Sequence, residues 1–244
     1  MVITETDYRR IVAIGDIHGH RAPVGEMLDR IGPGSDDLLI FIGDYVDRGP
    51  ESKQLLDDLV LLKQTSKNAL FLKGNHEDMM LGSLGFPALF ADFRNWLYNG
   101  GTKTLASYGF TSSDVNRMMQ SADESRRAAE LLDRIPKSHR EFLRGLDLYC
   151  ESEHFFFCHA GLDPYLSIEE GKKNLQDLLW RRDHLYAERP VWEKTVVFGH
   201  TPISDVLMTE RMIAIDTGLF AFGTLSAVDV LSGEIFQVRS EIRA

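Results

Sequence analysis

Cysteine is scarce in this 244-residue chain: there are two, Cys150 and Cys158. Two thiols cannot build a disulfide framework. They could pair across a hairpin, but so few in a chain this long point to a reducing compartment, and cytoplasmic localisation is expected. Basic residues are also in short supply: Lys+Arg number 27 against 37 Asp+Glu, a formal net charge of −10. That deficit excludes a general nucleic-acid binder, which must neutralise phosphates along a basic face. It leaves room for one small cationic site, because net charge does not set the local field. No stretch approaches the ~20 apolar residues that span a bilayer, so no membrane partner is expected. The opening residues, Met1 to Asp7, lack the basic start and apolar run of a secretory signal. Repeats, low-complexity tracts and long linkers are missing too. The length fits one domain, residues 1–244.

What the chain does have is a recurring unit: a short apolar run followed at once by glycine and polar residues. Ile11 to Ile14 precedes Gly15-Asp16-Ile17-His18-Gly19, and Leu38 to Ile42 precedes Gly43-Asp44-Tyr45-Val46-Asp47-Arg48-Gly49. Ala69 to Leu72 precedes Lys73-Gly74-Asn75-His76-Glu77; Phe155 to Cys158 precedes His159-Ala160-Gly161; Val196 to Phe198 precedes Gly199-His200-Thr201-Pro202. Continuous apolar runs suit strands buried on both faces. Helical spacing over Pro23 to Arg30 and Ser52 to Lys63 gives strand–helix alternation, hence an α/β class. Strands are also predicted at Ile213 to Ile215, Leu225 to Val230 and Glu234 to Val238, joined by turns at Gly218 and Ser232-Gly233. The C-terminal portion should therefore be antiparallel and the sheet system mixed. Residues 78–150 interrupt the series as a helical insertion. Its helices are expected around Pro87 to Leu97, Asp114 to Ile135 and His139 to Gly145.

The residues after the runs form a ligand set. Asp16 and His18 share one turn, and Asp44, Asn75, His159 and His200 each follow a different strand. Carboxylate, imidazole and amide donors without thiolate suit borderline-to-hard divalent ions such as Mn, Fe, Zn or Mg. Neighbouring strand ends are where open α/β sheets gather ligands. Six donors exceed the needs of one ion and fit two if a carboxylate bridges. Each residue alone has a plainer explanation, an Asp as a turn cap or a His as a satisfied polar group. Five repetitions beside glycine do not.

GDIHG at 15–19, GDYVDRG at 43–49, GNHE at 74–77, HAG at 159–161 and GHT at 199–201 together resemble the calcineurin-like metallophosphoesterases. More narrowly they resemble the compact bacterial phosphoprotein (serine/threonine) phosphatase branch. The resemblance implies a four-layer α/β/β/α sandwich, two mixed sheets flanked by helices. It implies two divalent ions, most often Mn. Asp16, His18 and Asp44 would hold the first; the bridging Asp44 with Asn75, His159 and His200 would hold the second. His76 would be the general acid, and Asp47 would orient it and support its protonated form. Arg48 would be one phosphate clamp, alongside Asn75. Arg182 is favoured as the second clamp, with Arg181 as the alternative. The reaction implied is hydrolysis of phosphomonoesters by in-line attack of a metal-bridging hydroxide, with no covalent enzyme intermediate.

The substrate expected is phosphoserine or phosphothreonine in protein, or a small phosphoester. The rival is symmetric cleavage of diadenosine tetraphosphate. Those hydrolases resemble this chain but tend to lack the equivalent of Asp47, and to carry GNHD and GHW where this chain has Glu77 and Thr201. An inactive scaffold on the same fold is a second rival, opposed by the filled ligand set. The stretch Asp216 to Phe220 stands where eukaryotic relatives carry a cleft tyrosine. Trp96-Leu97-Tyr98-Asn99-Gly100-Gly101 is read either as cleft lining or as a helix stop. Cys158 is read as a small buried hydrophobe and Trp180 as packing. Oligomeric state is not set by any of these features.

Overall fold

A strand buried on both faces needs apolar residues at every position, and the early runs supply them. In the computed structural model, which describes residues 1–241, β1 (Arg10–Ile14) turns Ile11 and Ala13 one way and Val12 and Ile14 the other. β2 (Asp37–Phe41) repeats this with Leu38 and Ile40 against Leu39 and Phe41. Helix α1 (Arg21–Ile31) connects β1 to β2, and α2 (Ser52–Thr65) connects β2 to β3 (Ala69–Phe71). The three strands are parallel.

The helical stretch that follows begins earlier than expected, because α3 (Asn75–Ser83) starts inside the GNHE motif. A helix from Pro87 does not form. Leu89 and Phe90 donate their N–H groups to the Asp78 carboxylate, both at 2.9 Å, and helix resumes only as α4 (Phe93–Trp96), capped by Asp92. A wide turn over Leu97–Gly101 leads into α5 (Thr102–Ser107). The stretch from Asp114 to Ile135 divides into α6 (Ser112–Gln120) and α7 (Glu124–Arg134), each with its own side-chain cap, Thr111 and Asp123. Such caps offer the backbone an alternative to a continuous helix. α8 (Lys137–Arg144) completes the group.

The second sheet is built from β4 (Tyr149–Glu151), β5 (Phe155–Cys158), β6 (Thr195–Phe198), β7 (Leu207–Met208) and β8 (Met212–Ala214), in the order β4-β5-β6-β8-β7. Short helices α9 (Ile168–Gly171) and α10 (Leu175–Trp180) pack outside it. The C-terminal expectation needs a correction here. β8 is not part of an antiparallel unit with the later strands; it runs parallel to β6. The chain then crosses back through α11 (Leu219–Phe222), which Gly218 opens at φ 67°. β9 (Thr224–Asp229) and β10 (Glu234–Arg239) are antiparallel as expected, but they extend the first sheet, β10-β9-β1-β2-β3. Ile11, Ala13, Ile40, Phe157, Val197, Ile213 and Val228 meet between the two sheets, while the opposite faces pack against helices. This is the four-layer α/β/β/α sandwich. Cys150 faces the inter-sheet layer and Cys158 the outer one, and both are free. Among the described residues, no helix is long and apolar enough to cross a membrane.

One buried charge ties α1 and β1 to the start of β2. Asp37 accepts from Arg10, Arg9 and the N–H of Gly34. The Arg10 guanidinium holds its carboxyl well below the usual range. A depressed folded pKa adds stability above the unfolded value and loses it as pH falls toward the folded one. Asp37→Asn should therefore cost about 2 kcal/mol at pH 7. Urea unfolding should show that gap narrowing below about pH 4, where the unfolded aspartate protonates; a gap constant with pH would refute the ion-pair account.

Candidate active site

The carboxyl ends of β1, β2, β3, β5, β6 and β8 point to one edge of the sandwich, so the glycine-rich turns after them meet there. These turns are strained. The described non-glycine residues with positive φ are His18 (47°), Asp44 (55°), Asp47 (74°), Arg48 (66°) and His200 (64°), all of them predicted site residues. Each such residue costs on the order of 1–3 kcal/mol and persists only where its surroundings enforce it. Glu77 is one enforcer. Its buried carboxylate accepts the backbone N–H groups of Tyr45 (2.7 Å), Asp44 (2.8 Å), Gly74 (2.9 Å) and Val46 (3.2 Å). Burial and the nearby Asp44 push its carboxyl up to about 8, against the pull of those N–H groups. Gly74 must be glycine, because a Cβ there would sit 2.1 Å from Asp44 Oδ1.

The histidine tautomers follow from their partners. His18 Nδ1 lies 3.0 Å from the Val46 carbonyl and His159 Nδ1 lies 3.0 Å from that of Ile42. A carbonyl only accepts, so each Nδ1 carries the proton and each Nε2 presents a lone pair. His159 Nε2 faces Asn75 Oδ1 at 3.0 Å, His200 Nδ1 at 3.2 Å and Asp44 Oδ1 at 3.3 Å. His18 Nε2 faces the other oxygen of Asp44 at 3.4 Å. Burial first, then neighbouring cationic groups, lowers the pKa of His18, His159 and His200, with His159 near 3. Neutral imidazoles and carboxylates whose acceptors face one another are what divalent cations require. Two close-set groups result: His18, Asp44 and His76, and Asp44, His159 and His200. Asp44 belongs to both, so the donors fit a dinuclear site.

Asp16 lies outside those two groups. Its carboxylate accepts the His200 N–H at 3.1 and 3.3 Å, and burial, Asp216 and Asp44 raise its pKa. Asp216, which the sequence marked only as a departure, is a further buried carboxylate. Its Oδ1 accepts the Gly218 N–H at 2.9 Å, Oδ2 has no partner, and burial pushes the group up to about 6. Asp16, Asp44 and Asp216 crowd this edge, and bound cations would relieve their repulsion.

Arg48 places Nη1 at 2.9 Å from His18 Nε2 and Nη2 at 3.1 Å from His76 Nε2. The Phe220 ring covers its guanidinium at 3.9 Å and meets His18 edge-on at 5.1 Å, so the stretch Asp216 to Phe220 brings an aromatic ring to the site. Arg182 reaches the cluster, donating to the His200 carbonyl at 3.0 Å. Arg181 does not; Asp163, Asp177 and Asp183 hold it at 3.1, 2.8 and 2.8 Å. Trp180 packs between Phe90 and His200, as expected of it.

His76 Nδ1 donates to Asp47 Oδ2 at 2.7 Å and its Nε2 lies 3.8 Å from Asp44 Oδ2. The expectation that Asp47 favours the protonated imidazole meets a larger opposing effect: burial pushes His76 down to about 4. The carboxylate of Asp47 also accepts from the Trp96 indole N–H, at 2.9 and 3.1 Å, and from the Thr104 hydroxyl at 2.6 Å. Thr104 carried no signal in the sequence, and Trp96 only the ambiguous Trp-to-Gly-Gly stretch. His139, left without a role, is a satisfied core histidine between Tyr108 and Asp57.

Known proteins resemble this chain over most of its length. The sequence model of the calcineurin-like phosphoesterases matches residues 9–225. Serine/threonine-protein phosphatase 2 of Salmonella typhimurium (strain LT2) is 30% identical over 227 residues, 90% of this chain and 92% of that protein. The asymmetrical bis(5'-nucleosyl)-tetraphosphatase PrpE of Oceanobacillus iheyensis is 23% identical over 258 residues, 95% of this chain and 92% of that one. A crystal structure of a candidate diadenosine tetraphosphatase superposes with a TM-score of 0.65 at 21% identity, covering 99% and 97% of the two chains. An edge of strained turns that gathers neutral imidazoles around a shared carboxylate thus has a family to go with it, and this chain belongs to the calcineurin-like phosphoesterases, metal-dependent hydrolases of phosphoric esters.

Proposed function

We propose that this chain removes phosphate from protein phosphoserine and phosphothreonine, with two divalent ions, manganese foremost, as cofactors. The observation that carries the reading is the 2.7 Å His76–Asp47 pair with Nε2 of His76 left facing Arg48 and Asp44. Asp16, His18 and Asp44 would hold one ion, and Asp44, Asn75, His159 and His200 the other. Such ions, when bound, polarise phosphoryl oxygens and make nearby water acidic near neutral pH. Arg48 and Arg182 grip the equatorial oxygens with their planar forks, which match phosphate geometry. The Nδ1–H bond to Asp47 fixes the His76 ring, so that Nε2 delivers a proton to the departing oxygen. A phosphate dianion beside Nε2 favours the imidazolium that burial alone disfavours.

Asp47, Glu77 and Thr201-Pro202 support a phosphoprotein substrate over symmetric cleavage of a dinucleoside tetraphosphate. The second reading is hydrolysis of diadenosine tetraphosphate. Relatives of both kinds match, and the nucleotide relatives bear the asymmetrical name rather than the symmetrical one expected. The deciding experiment compares kcat/KM for phosphoserine, phosphothreonine and phosphotyrosine peptides with diadenosine tetraphosphate, Mn present. The phosphoprotein reading requires the phosphoserine and phosphothreonine peptides to win; a preference for the dinucleotide overturns it.

The two arginines should separate cleanly. Arg182→Ala should raise KM for a phosphopeptide about 10- to 100-fold, the worth of charge-assisted hydrogen bonds. Arg181→Ala should lower thermal stability and leave KM within about twofold, since its partners are Asp163, Asp177 and Asp183. The reverse pattern would assign the clamp to Arg181.

A further inference from the structure

The Asp47–Arg48 pair is held from outside its own loop. Two consecutive non-glycine residues at φ 74° and 66° do not stay left-handed unaided. The Asp47 N–H donates to Thr104 Oγ1 at 2.8 Å and to Ser52 Oγ at 3.2 Å. The Thr104 hydroxyl donates back to Asp47 Oδ1 at 2.6 Å, and its oxygen lies 3.0 Å from Ser52 Oγ. With Ser52 as donor in that contact, Thr104 fills one donor and two acceptor positions, all a hydroxyl has. The Asp47 carboxylate receives three side-chain donors: Thr104 on Oδ1, His76 on Oδ2, and the Trp96 indole shared between both oxygens.

The chain between Trp96 and Thr104 serves the same pair. The Arg48 N–H donates to the Gly100 carbonyl at 3.3 Å. Gly100 has φ 108°, and a Cβ there would lie 2.8 Å from the backbone nitrogen and Cγ of Arg48. Gly101 lies flat on the Trp96 ring, where a Cβ would approach to 2.7 Å. The Gly-Gly pair is therefore not a simple helix stop. It lets one wide turn touch Arg48 with its backbone and Asp47 with its tryptophan.

We propose that Trp96 to Thr104 is a clamp, and that Thr104 and Trp96 are positioning residues for proton delivery by His76, acting through Asp47. Their side chains hydrogen-bond to Asp47 and Ser52 and to none of the proposed metal donors. Their hydroxyl and indole protons pin the Asp47 oxygens, so the His76 ring cannot rotate Nε2 away from the leaving oxygen. Helical residues added to the sandwich thus complete its acid, rather than only walling its cleft. The inference rests on His76 being the general acid of a phosphomonoesterase, as proposed above.

The test uses the whole chain loaded with Mn and two substrates: an alkyl phosphate, phosphoserine peptide, and an activated aryl phosphate, p-nitrophenyl phosphate. Thr104→Val keeps shape and deletes the hydroxyl; Thr104→Ser keeps the hydroxyl. Thr104→Val should lower kcat on the alkyl ester about 10- to 100-fold, as for outer partners of a site residue. KM should stay within about twofold, and the aryl ester should suffer at least about fivefold less, since it needs less acid assistance. Thr104→Ser should recover most of the loss. In a His76→Ala background, Thr104→Val should have no further effect on kcat, because the residue it serves is gone. If Thr104→Val folds poorly, Trp96→Phe carries the same expectations, keeping a ring and deleting the indole N–H. Equal losses on both substrates, no rescue by serine, or an undiminished effect without His76 would overturn the clamp. Wild-type protein inactive on both esters would instead overturn the phosphomonoesterase reading, and the clamp with it.

Discussion

Asp44→Asn is expected to abolish tight metal binding and most activity while leaving the metal-free fold intact. Asp44 presents one oxygen to His159 Nε2 at 3.3 Å and the other to His18 Nε2 at 3.4 Å. It is the member common to both close-set donor groups. Asparagine preserves its shape and can still accept the His76 N–H that Oδ1 now takes at 3.2 Å. What it removes is the charge, and it sets an amide N–H₂ against lone pairs. Changes to outer partners of a metal site cost about 10- to 100-fold in affinity or activity, so loss of the shared carboxylate should exceed about 100-fold in both. Without metal the effect on stability should run the other way. Asp44, Asp16 and Asp216 are buried near one another; beyond burial, Asp216 and Asp44 raise the pKa of Asp16, and Asp44 raises that of Asp216. Removing one charge relieves that repulsion, so metal-free Asp44→Asn should melt at or above the wild-type temperature. Elemental analysis, steady-state rates and calorimetry check the three parts. A variant that holds two ions normally and remains active would show that Asp44 does not bridge.

His76→Ala is expected to keep its metals and lose proton delivery. The imidazole lies beside the donor cluster, but its Nδ1 is committed to Asp47, and its Nε2 is within 3.1 Å of Arg48. General acid assistance is worth about 10²- to 10⁴-fold, so phosphoserine peptide should slow by that factor. An aryl phosphate with a good leaving group should slow much less. The proposed ligands Asp16, His18, Asp44, Asn75, His159 and His200 are untouched, so two ions per chain should remain. His76 is also one of the three residues in the close-set group with His18 and Asp44, which offers a sharp alternative. If His76→Ala loses an ion and slows both substrates equally, His76 is a ligand rather than the acid.

The sequence carried the site's contents better than its support. Five strand-end motifs announced nine candidate residues because each sits within a few positions of its strand, and parallel strands bring their carboxyl ends to one edge. Arg182 reaches the His200 carbonyl while three aspartates hold Arg181, a division for which two adjacent arginines give no local signal. The partners of Asp47 were less legible. Trp96 and Thr104 lie 49 and 57 positions away, and no periodicity encodes a contact of that range. In the sequence Glu77 only tells one branch of the family from another, yet it ties down the Asp44 turn with three backbone N–H bonds and takes a fourth from Gly74. The helix expected from Pro87 was lost to Asp78, whose carboxylate draws off two backbone donors. The sequence pattern sets β8 beside the strands after it because it shows that a strand exists, not which sheet it joins.

Metal stoichiometry against rate tests the central claim most directly. Metal-free protein is titrated with Mn while hydrolysis of a phosphoserine peptide is followed and bound ion is counted by elemental analysis. The account predicts full rate only when two ions are bound per chain, with little activity at one. Full rate with one ion bound, or with none, would contradict it.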